Sequence, residues 1–182
     1  KEALNMIATK ADGAMRDALT IFDKIHSSSP DGLITYKEVI ANLNILDYDY
    51  YFKITDACLR EDMTEVLLTL HDIIKLGFDP DIFVLGLADH FRDLLMAKVP
   101  STLQILDLSD ELKSRYANQA SLATSSFLLS GLNILNQCDI DLVRAKNKRL
   151  QVELALTKLT YLNRTIHANV FGEYNDGLKK KL

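Results

Sequence analysis

Apolar residues recur at steps of three and four along nearly the whole chain, which is the spacing of one face of an α-helix. Glycine, proline and clusters of small polar residues interrupt this pattern, and each interruption predicts the end of a helix. Strand-like sequence is nearly absent, with Leu33-Ile34-Thr35 as the one short candidate. The stretches between interruptions differ in length, which favours a compact bundle over a repeat array. We therefore expect an all-α fold.

Capping residues predict where several of these helices begin and end. Thr35-x-x-Glu38 and Asp62-x-x-Glu65 have the spacing of a capping box. Asp79-Pro80 offers a cap followed by an N1 proline, and Ser109 precedes two acidic residues. Gly77 stands where a helix commonly ends on a residue with positive φ. The remaining expectations are a helix end at Pro100, a helix from Ser121 to about Cys138, and one from about Lys146 to Val170 carrying Leu150, Leu154, Thr157, Leu159 and Leu162.

The run Ser27-Ser28-Ser29-Pro30-Asp31-Gly32 is the best candidate for a linker, because all its residues favour turns. It predicts a boundary between a helical segment at residues 1–29 and a larger helical domain at residues 30–171. Residues 172–182 contain two glycines and Lys179-Lys180-Lys181, a composition typical of a flexible tail. Lys1-Glu2-Ala3 lacks an initiator methionine and resembles a helix entered midway. We therefore expect a fragment of a longer protein.

Composition narrows the class of function. Of the 182 residues 48% are hydrophobic, which suffices for a real core, and the net charge is −4. An acidic module is a poor candidate for direct binding to nucleic acid. Cys58 and Cys138 match no metal-ligand spacing, and we expect them to be reduced and buried. No apolar run approaches the roughly 20 residues that a membrane span needs.

The sequence contains no recognisable catalytic or metal-binding constellation. The four histidines, His26, His71, His90 and His167, are scattered and form no i, i+4 pair. Neither a nucleophile elbow nor a phosphate loop is present. The residues Asp89, Arg92 and Asp93 around His90 are typical of a solvated helix face. We therefore predict no catalytic residue and no metal site in this chain.

Two residue clusters admit more than one interpretation. The aromatic cluster Tyr48, Tyr50, Tyr51 and Phe52 could stack nucleobases, but its neighbours are acidic, which favours packing in the core or between subunits. The run Arg144-Ala-Lys146-Asn-Lys148-Arg149 is the strongest local positive charge. It could face an acidic partner or phosphate, although a solvated helix start is the simpler interpretation.

The segment Gly13–Leu19 contains a candidate anion site. Gly13 can end one helix and allow the next to begin close by. Arg16 then falls in the first turn of the second helix, where unpaired N–H groups and the positive end of the helix dipole favour an anion. A guanidinium suits a terminal phosphate. The residues alone leave open a second interpretation, an ordinary surface pair of Arg16 with Asp17.

The segment from Ile7 to Asp23, with Gly13 and Met15-Arg16-Asp17-Ala18-Leu19-Thr20, closely resembles the sensor-2 segment of AAA+ clamp-loader ATPases. The resemblance is strongest to the gamma/tau family of bacterial DNA polymerase III. It implies that Arg16 contacts the nucleotide of its own subunit and that Gly13 precedes the sensing helix. Asp17 and Asp23 match positions with a structural role. Weaker similarity to the collar domain of this family continues at residues 34–39, 45–47, 85–97 and 152–159.

The resemblance implies a division of labour within a longer parent protein. Residues 1–29 would end its helical lid domain, and residues 30–171 would form the collar that holds the clamp-loader subunits in a ring. The parent would use ATP and Mg²⁺ to load a sliding clamp onto primer–template DNA in the bacterial cytoplasm, as part of the polymerase III holoenzyme. The phosphate loop and the other ATPase motifs would precede Lys1, so we expect this fragment to hydrolyse no ATP alone.

Two alternatives stay open at this point. The chain could be a helical adaptor or scaffold bundle with no link to a nucleotide, which its acidic and catalytically empty composition also allows. It could also be the collar-type domain of another AAA+ ATPase. If the collar interpretation holds, some leucine- and tyrosine-rich helix faces should stay exposed in the monomer, because assembly would bury them.

Overall fold

Helices account for all the regular secondary structure in the described part of the chain, which confirms the all-α prediction. The computed structural model describes residues 2–11, 13–29, 33–43 and 46–164. The predicted tail at residues 172–182 lies outside these ranges. By internal contacts the chain divides into one unit from Lys1 to Asp47 and a second from Tyr48 to Leu182.

Within its described residues, the first unit contains three helices, α1 (Glu2–Lys10), α2 (Met15–Ser28) and α3 (Tyr36–Leu43). The predicted capping box opens α3: the Glu38 backbone N–H donates to Thr35 Oγ1 at 3.3 Å, and the Thr35 N–H donates to Glu38 Oε2 at 2.8 Å. This backbone hydrogen bond lowers the pKa of the Glu38 carboxyl. The three helices share a small core of Ala3, Ile7, Ile25 and Val39.

The placement of α3 differs from the expected domain organisation. The linker run predicts a boundary at residues 29 and 30, yet α3 packs against α1 and α2 in the first unit. How helices pack does not show which domain of the family each belongs to, so the domain boundaries at residues 29, 30 and 171 stay predictions. Leu33–Thr35, the one strand candidate, has no regular secondary structure.

The second unit contains seven helices within its described residues. They are α4 (Tyr48–Leu59), α5 (Met63–Lys75), α6 (Pro80–Ala97), α7 (Pro100–Leu103), α8 (Asp110–Leu122), α9 (Ser125–Leu142) and α10 (Lys148–Thr160). The central helix is α6, which contacts α4, α7, α8, α9 and α10. Its buried face carries Phe83, Leu87, Phe91 and Leu94, and it crosses α9 where Phe91 packs against Phe127 with ring centroids 5.8 Å apart.

The predicted caps account for several of these helix ends. Asp62 caps α5, Asp79 caps α6 with Pro80 at its start, and Ser109 caps α8. Gly77 adopts φ +89° and ends α5, as predicted. Glu61 adopts φ 57° in the matching position after α4, where a non-glycine residue is uncommon.

Three helix boundaries differ from the predictions. Pro100 begins the short helix α7 and does not simply end α6. The helix predicted from Ser121 begins at Ser125, because Ala123 is extended and the Thr124 side chain caps the new helix at Phe127 N–H. The last helix begins at Lys148, capped by Asn147, and α10 ends at Thr160. Its predicted extension to Val170 lies partly outside the described residues.

Candidate functional site

The segment that carries Gly13 and Arg16 joins α1 to α2. Gly13 adopts φ +78°, a left-handed conformation that favours glycine. Ala14 is extended and occupies the N-cap position, and its side chain has no oxygen to cap the helix. Arg16 is the second residue of α2 and is exposed. The chain therefore places an exposed guanidinium in the first turn of a helix whose N-cap side chain accepts no hydrogen bond from the first N–H groups.

This helix start provides donors that fit phosphate oxygens. The first N–H groups of a helix lack intrahelical acceptors, and the helix dipole adds partial positive charge there. The Arg16 carbonyl accepts a hydrogen bond from Thr20 Oγ1 at 2.9 Å, which ties its backbone to the next turn. The side chain itself stays in solvent. A single arginine at a helix start does not establish a site, and the nucleotide-sensing role of Arg16 and Gly13 stays a prediction.

The helix α2 has two apolar faces. Ala18, Ile21 and Ile25 face the core of the first unit. On the other side Met15, Leu19 and Phe22 are exposed at helical spacing, and Met15 has 74% of its surface accessible. This second face begins beside Arg16. A helix with apolar residues on both sides is typical of one that is covered by another part of its protein.

The last described helix of the second unit also has an exposed apolar face. Leu150 is 60% exposed and Leu154 is 47% exposed, and Thr157 and Tyr161 continue the same stripe at steps of three and four. We call Leu150, Leu154, Thr157 and Tyr161 the α10 stripe. The opposite face of α10 packs in the core through Val152, Ala155, Leu156 and Leu159.

A cleft of 220 Å³ lies between α9 and α10, beside the α10 stripe. Ile134, Leu154 and Ala155 provide its apolar lining, and Asp141 and Lys158 provide its charged groups. The Asp141 carboxylate accepts hydrogen bonds from Gln137 at 2.9 Å and from Gln151 at 3.1 Å. A network of side-chain hydrogen bonds therefore joins α9 to α10 at this cleft.

The histidines within the described residues are either on the surface or buried with a structural role. His71 is exposed, and His26 stacks against Phe22 with centroids 6.3 Å apart. His90 is buried and hydrogen-bonded to Tyr116 and Gln119. His167 lies outside the described residues. Among the described side chains, no group of three His, Cys, Asp or Glu residues converges as a metal site.

The acidic residues around His90 differ in part from the predicted solvated face. Arg92 is exposed and forms ion pairs with Asp89 and Asp93, both at 3.0 Å, but the Asp93 side chain is nearly buried. Burial raises the pKa of the Asp93 carboxyl, and the hydrogen bond from Arg92 opposes that change. The burial of His90 and of Asp93 was not predicted from the sequence. Both are polar residues on the face of α6 that also carries the buried Leu87 and Leu94, so the polar–apolar pattern does not mark them as buried.

The aromatic cluster at the start of α4 packs mainly in the core, as favoured from its acidic neighbours. Tyr51 and Phe52 are buried, and Tyr48 and Tyr50 are half-buried. Tyr51 stacks on Phe83 with centroids 6.1 Å apart, and its hydroxyl lies against the backbone of α6 at Gly86. Burial raises the pKa of the Tyr51 hydroxyl well above its ordinary range. Tyr51 and Phe52 are therefore not available to stack nucleobases.

The basic run at the start of α10 is solvated, as the simpler interpretation held. Arg144 and Lys146 are exposed in the loop after α9, and Arg149 pairs with Glu153 at 2.7 Å. Lys148 pairs with Asp81 at the start of α6, and this hydrogen bond raises the pKa of the Lys148 ammonium.

Both cysteines are free and buried, as predicted. Cys58 Sγ lies 3.7 Å from Thr160 Oγ1, and Cys138 Sγ lies 3.8 Å from the Gln151 carbonyl oxygen. Within the described residues, no helix combines the length and apolar character needed to cross a membrane.

Comparison with known proteins matches residues 34–169 to the family "DNA polymerase III subunits gamma and tau domain III". The chain is 24% identical over 157 residues to DNA polymerase III subunit tau of Bacillus subtilis, a match that covers 86% of this chain and 28% of that protein. It is 32% identical over 77 residues to DNA polymerase III subunit gamma of Buchnera aphidicola, covering 42% of this chain and 21% of that protein. The chain thus spans less than a third of the length of these curated relatives.

The fold is similar to that of the Bacillus subtilis DNA clamp loader delta protein, with a TM-score of 0.57 and 18% sequence identity. This similarity covers 87% of the chain and 54% of that structure, and it supports the fold alone. The family match covers well over half of the chain. The chain therefore belongs to the family of DNA polymerase III gamma and tau subunits, and residues 34–169 correspond to its domain III.

Proposed function

We propose that the chain is the collar and the adjoining end of the lid of a clamp-loader ATPase subunit. In this role the collar joins the subunit to its neighbours in a ring that loads a sliding clamp onto primed DNA in the bacterial cytoplasm. The observation that carries the proposal is the family match over residues 34–169. The similarity in fold to a clamp-loader delta protein agrees with it at the level of the fold. The family match also favours this function over a free-standing adaptor.

The exposed apolar faces of the second unit support a role in assembly. The α10 stripe presents two leucines and a tyrosine to solvent, and Ile140 on α9 is 55% exposed. Contiguous exposed apolar residues are typical of surfaces that a partner covers. We propose that the α10 stripe, with the cleft beside it, forms part of the contact with a neighbouring clamp-loader subunit.

The assembly proposal can be tested by sedimentation of the chain alone and mixed with the other clamp-loader subunits. Burying one leucine contributes about 1.5–3 kcal/mol. Because Leu150 and Leu154 are already about half buried, the double substitution Leu150→Ser with Leu154→Ser should weaken association by about 10- to 200-fold, with unchanged helix content by circular dichroism. The matched control is Leu68→Ser with Leu122→Ser, which removes two leucines that are similarly exposed on α5 and α8.

The outcomes separate the collar function from the surface assigned to it. If the unsubstituted chain ignores every other subunit, the collar function is wrong. If the chain assembles and only the control pair disrupts assembly, the collar function stands and the α10 stripe is the wrong surface.

We also propose that Arg16 contacts the terminal phosphate of ATP in the full-length subunit, with Mg²⁺ held by residues that precede this chain. The support is the exposed guanidinium in the first turn of α2 and the positive φ of Gly13 before it. ATP hydrolysis would belong to the longer subunit within the polymerase III holoenzyme. The part of the chain described by the structure contributes one contact to that site.

Substituting Arg16 in the full-length subunit tests this role. A hydrogen bond to a charged group contributes about 1.5–3 kcal/mol, so Arg16→Ala should reduce ATP-dependent clamp loading by about 10- to 100-fold. Arg16→Lys should restore little, because lysine lacks the planar fork of donors. Lys24→Ala removes another exposed cation from α2 and serves as the control. Equal activity of the Arg16→Ala and Lys24→Ala variants would rule out the contact.

A further inference from the structure

The donor and the acceptor of each hydrogen bond around His90 can be assigned from the partners of Gln119. Gln119 Nε2 donates to the Phe52 carbonyl oxygen at 2.9 Å and to Asp56 Oδ1 at 2.7 Å, so Gln119 Oε1 is an acceptor. His90 Nε2 lies 2.8 Å from that oxygen and must carry the ring proton. His90 Nδ1 is then an acceptor for the Tyr116 hydroxyl at 3.0 Å. The contacts therefore assign the neutral Nε2–H tautomer to His90.

The surroundings of this imidazole are apolar and closed. His90 is 2% exposed. The Phe52 ring lies edge-on at 4.6 Å between centroids, and the rings of Tyr116 and Tyr51 lie at 5.0 and 6.2 Å. Both ring nitrogens have one partner each, so the neutral form is fully satisfied. A second ring proton at Nδ1 would meet the Tyr116 hydroxyl, which donates to that nitrogen in the neutral form.

The helix α8 depends on this network for its attachment to the bundle. Its main contacts are with α6 and α4. Its buried side chains are Tyr116, Gln119 and Ala120, and the first two are the hydrogen-bond partners of His90. A further polar attachment is Arg115, which pairs with Asp49 at 2.6 Å and lies over the Phe52 ring at 4.3 Å.

Charged and titratable groups approach His90 from three helices. On α8 Arg115 is close enough to disfavour a positive imidazole. On α4 Asp56 is separated from His90 by Gln119, and Tyr48 and Tyr51 are neutral phenols. On α6 the acids are Asp89 and Asp93, both bound by Arg92. From α7, α9 and α10, no titratable group is among the hydrogen-bond or ring partners that the structure describes for His90.

We propose that His90 is an acid-sensitive latch that fastens α8 to α4 and α6. Protonation at Nδ1 turns this nitrogen from an acceptor into a donor. The Tyr116 hydroxyl must then turn its proton away from His90, and a positive charge is left in a closed site beside Arg115. Release of α8 exposes the imidazole to water and relieves both costs.

The direction of the effect follows from proton binding in the docked and released states. Burial lowers the pKa of His90 to about 4, Arg115 lowers it further, and the hydrogen bond to Gln119 opposes this change. A released imidazole titrates near its ordinary value of about 6.5. Above that pH neither state binds the proton. As the pH falls from about 6.5 to 4, mainly the released state binds it, so release becomes more favourable, by about 20-fold between pH 7 and pH 5.

Amide hydrogen exchange, corrected for intrinsic rates, tests the latch in the whole chain. Opening of α8 should increase by about 20-fold from pH 7 to pH 5, while the amides of α9 in the same molecule should change far less. His90→Gln should abolish the difference, and His71→Gln, which removes an exposed histidine from α5, should leave it unchanged. The nitrogen shifts of His90 should show the Nε2–H tautomer at neutral pH.

Three results would overturn the latch. The first is equal pH dependence of exchange in α8 and α9, and the second is a pH dependence that survives His90→Gln. The third is an Nδ1–H tautomer at neutral pH. The first and third use the unsubstituted chain, so the proposal stays testable if the His90→Gln variant does not fold.

Discussion

Gly131 lies where α9 packs against the Phe91 ring of the central helix α6, and alanine at this position should destabilise the second unit. A Cβ built on Gly131 would lie 2.5 Å from Phe91 Cε1, 2.9 Å from Phe91 Cδ1 and 3.1 Å from Leu159 Cδ2. Carbon atoms in contact normally stay about 3.5–4.0 Å apart. Phe91 is completely buried and packs against Phe127, so its ring has no free volume to enter.

The expected change in the free energy of unfolding is the difference between two opposing effects. Alanine in place of glycine in the interior of a helix stabilises it by about 1 kcal/mol. Forcing one methyl group into a well-packed core costs about 1–3 kcal/mol, and the short distances to the Phe91 ring favour the upper part of that range. We therefore expect Gly131→Ala to lower the free energy of unfolding by about 1–2 kcal/mol. The sign of this change is itself diagnostic, because without the contact with Phe91 the substitution would stabilise the protein.

Guanidinium unfolding, followed by circular dichroism and by tyrosine fluorescence, measures this change, since the chain has seven tyrosines and no tryptophan. Asn136→Ala, at an exposed position of the same helix, is the matched control and should be neutral or slightly stabilising. Phe91→Leu should relieve the clash, so the double variant with Gly131→Ala should lose less stability than the two single variants together. Gly131→Ala as stable as the unsubstituted chain would refute the packing argument.

The remaining predictions concern a helix end and the two thiols. Gly77→Ala should cost about 1 kcal/mol in thermal unfolding, because φ +89° is unfavourable for alanine even though nothing lies within 4 Å of the added Cβ. A stability equal to that of the unsubstituted chain would show that this helix end relaxes. Burial raises the pKa of Cys58 and of Cys138 to about 11, so both should react with iodoacetamide at pH 8 far more slowly than in denaturant. Rapid labelling of Cys58 in the native chain would contradict its burial.

Local signals in the sequence predicted most of the helix ends. The caps at Thr35, Asp62, Asp79 and Ser109, and the positive φ at Gly77, each depend on residues within one helical turn. Such interactions leave a readable spacing because both partners lie within about four residues of each other. The all-α class followed from the same short-range pattern.

The boundary between α8 and α9 was predicted four residues too early. Ser121, Thr124 and Ser125 are all acceptable capping residues, so the choice among them is not local. The structure selects Thr124 because Ala123 turns to an extended conformation and becomes buried. Burial of one alanine by distant helices has no signature in the neighbouring sequence.

The hydrogen-bond network of His90 could not be predicted from the sequence for a related reason. Tyr116 and Gln119 lie 26 and 29 residues beyond His90, and only tertiary packing brings them together. A partial signal does exist, because Tyr116, Gln119 and Ala120 share one face of a helix whose other residues are mostly polar or charged. That face identifies the side of α8 that is buried, but it does not identify the residue that it meets.

The two apolar stripes of α10 show why sequence alone could not locate the surface proposed for assembly. Leu150, Leu154 and Thr157 have the same periodicity as Leu159 and Leu162, and the pattern treats them as one set. The structure separates them, since Leu159 is fully buried whereas Leu150 is 60% exposed. A helix that packs on its own bundle and on a neighbouring subunit needs apolar residues on both sides. Periodicity detects such a helix, and only the fold reveals which stripe is left for a partner.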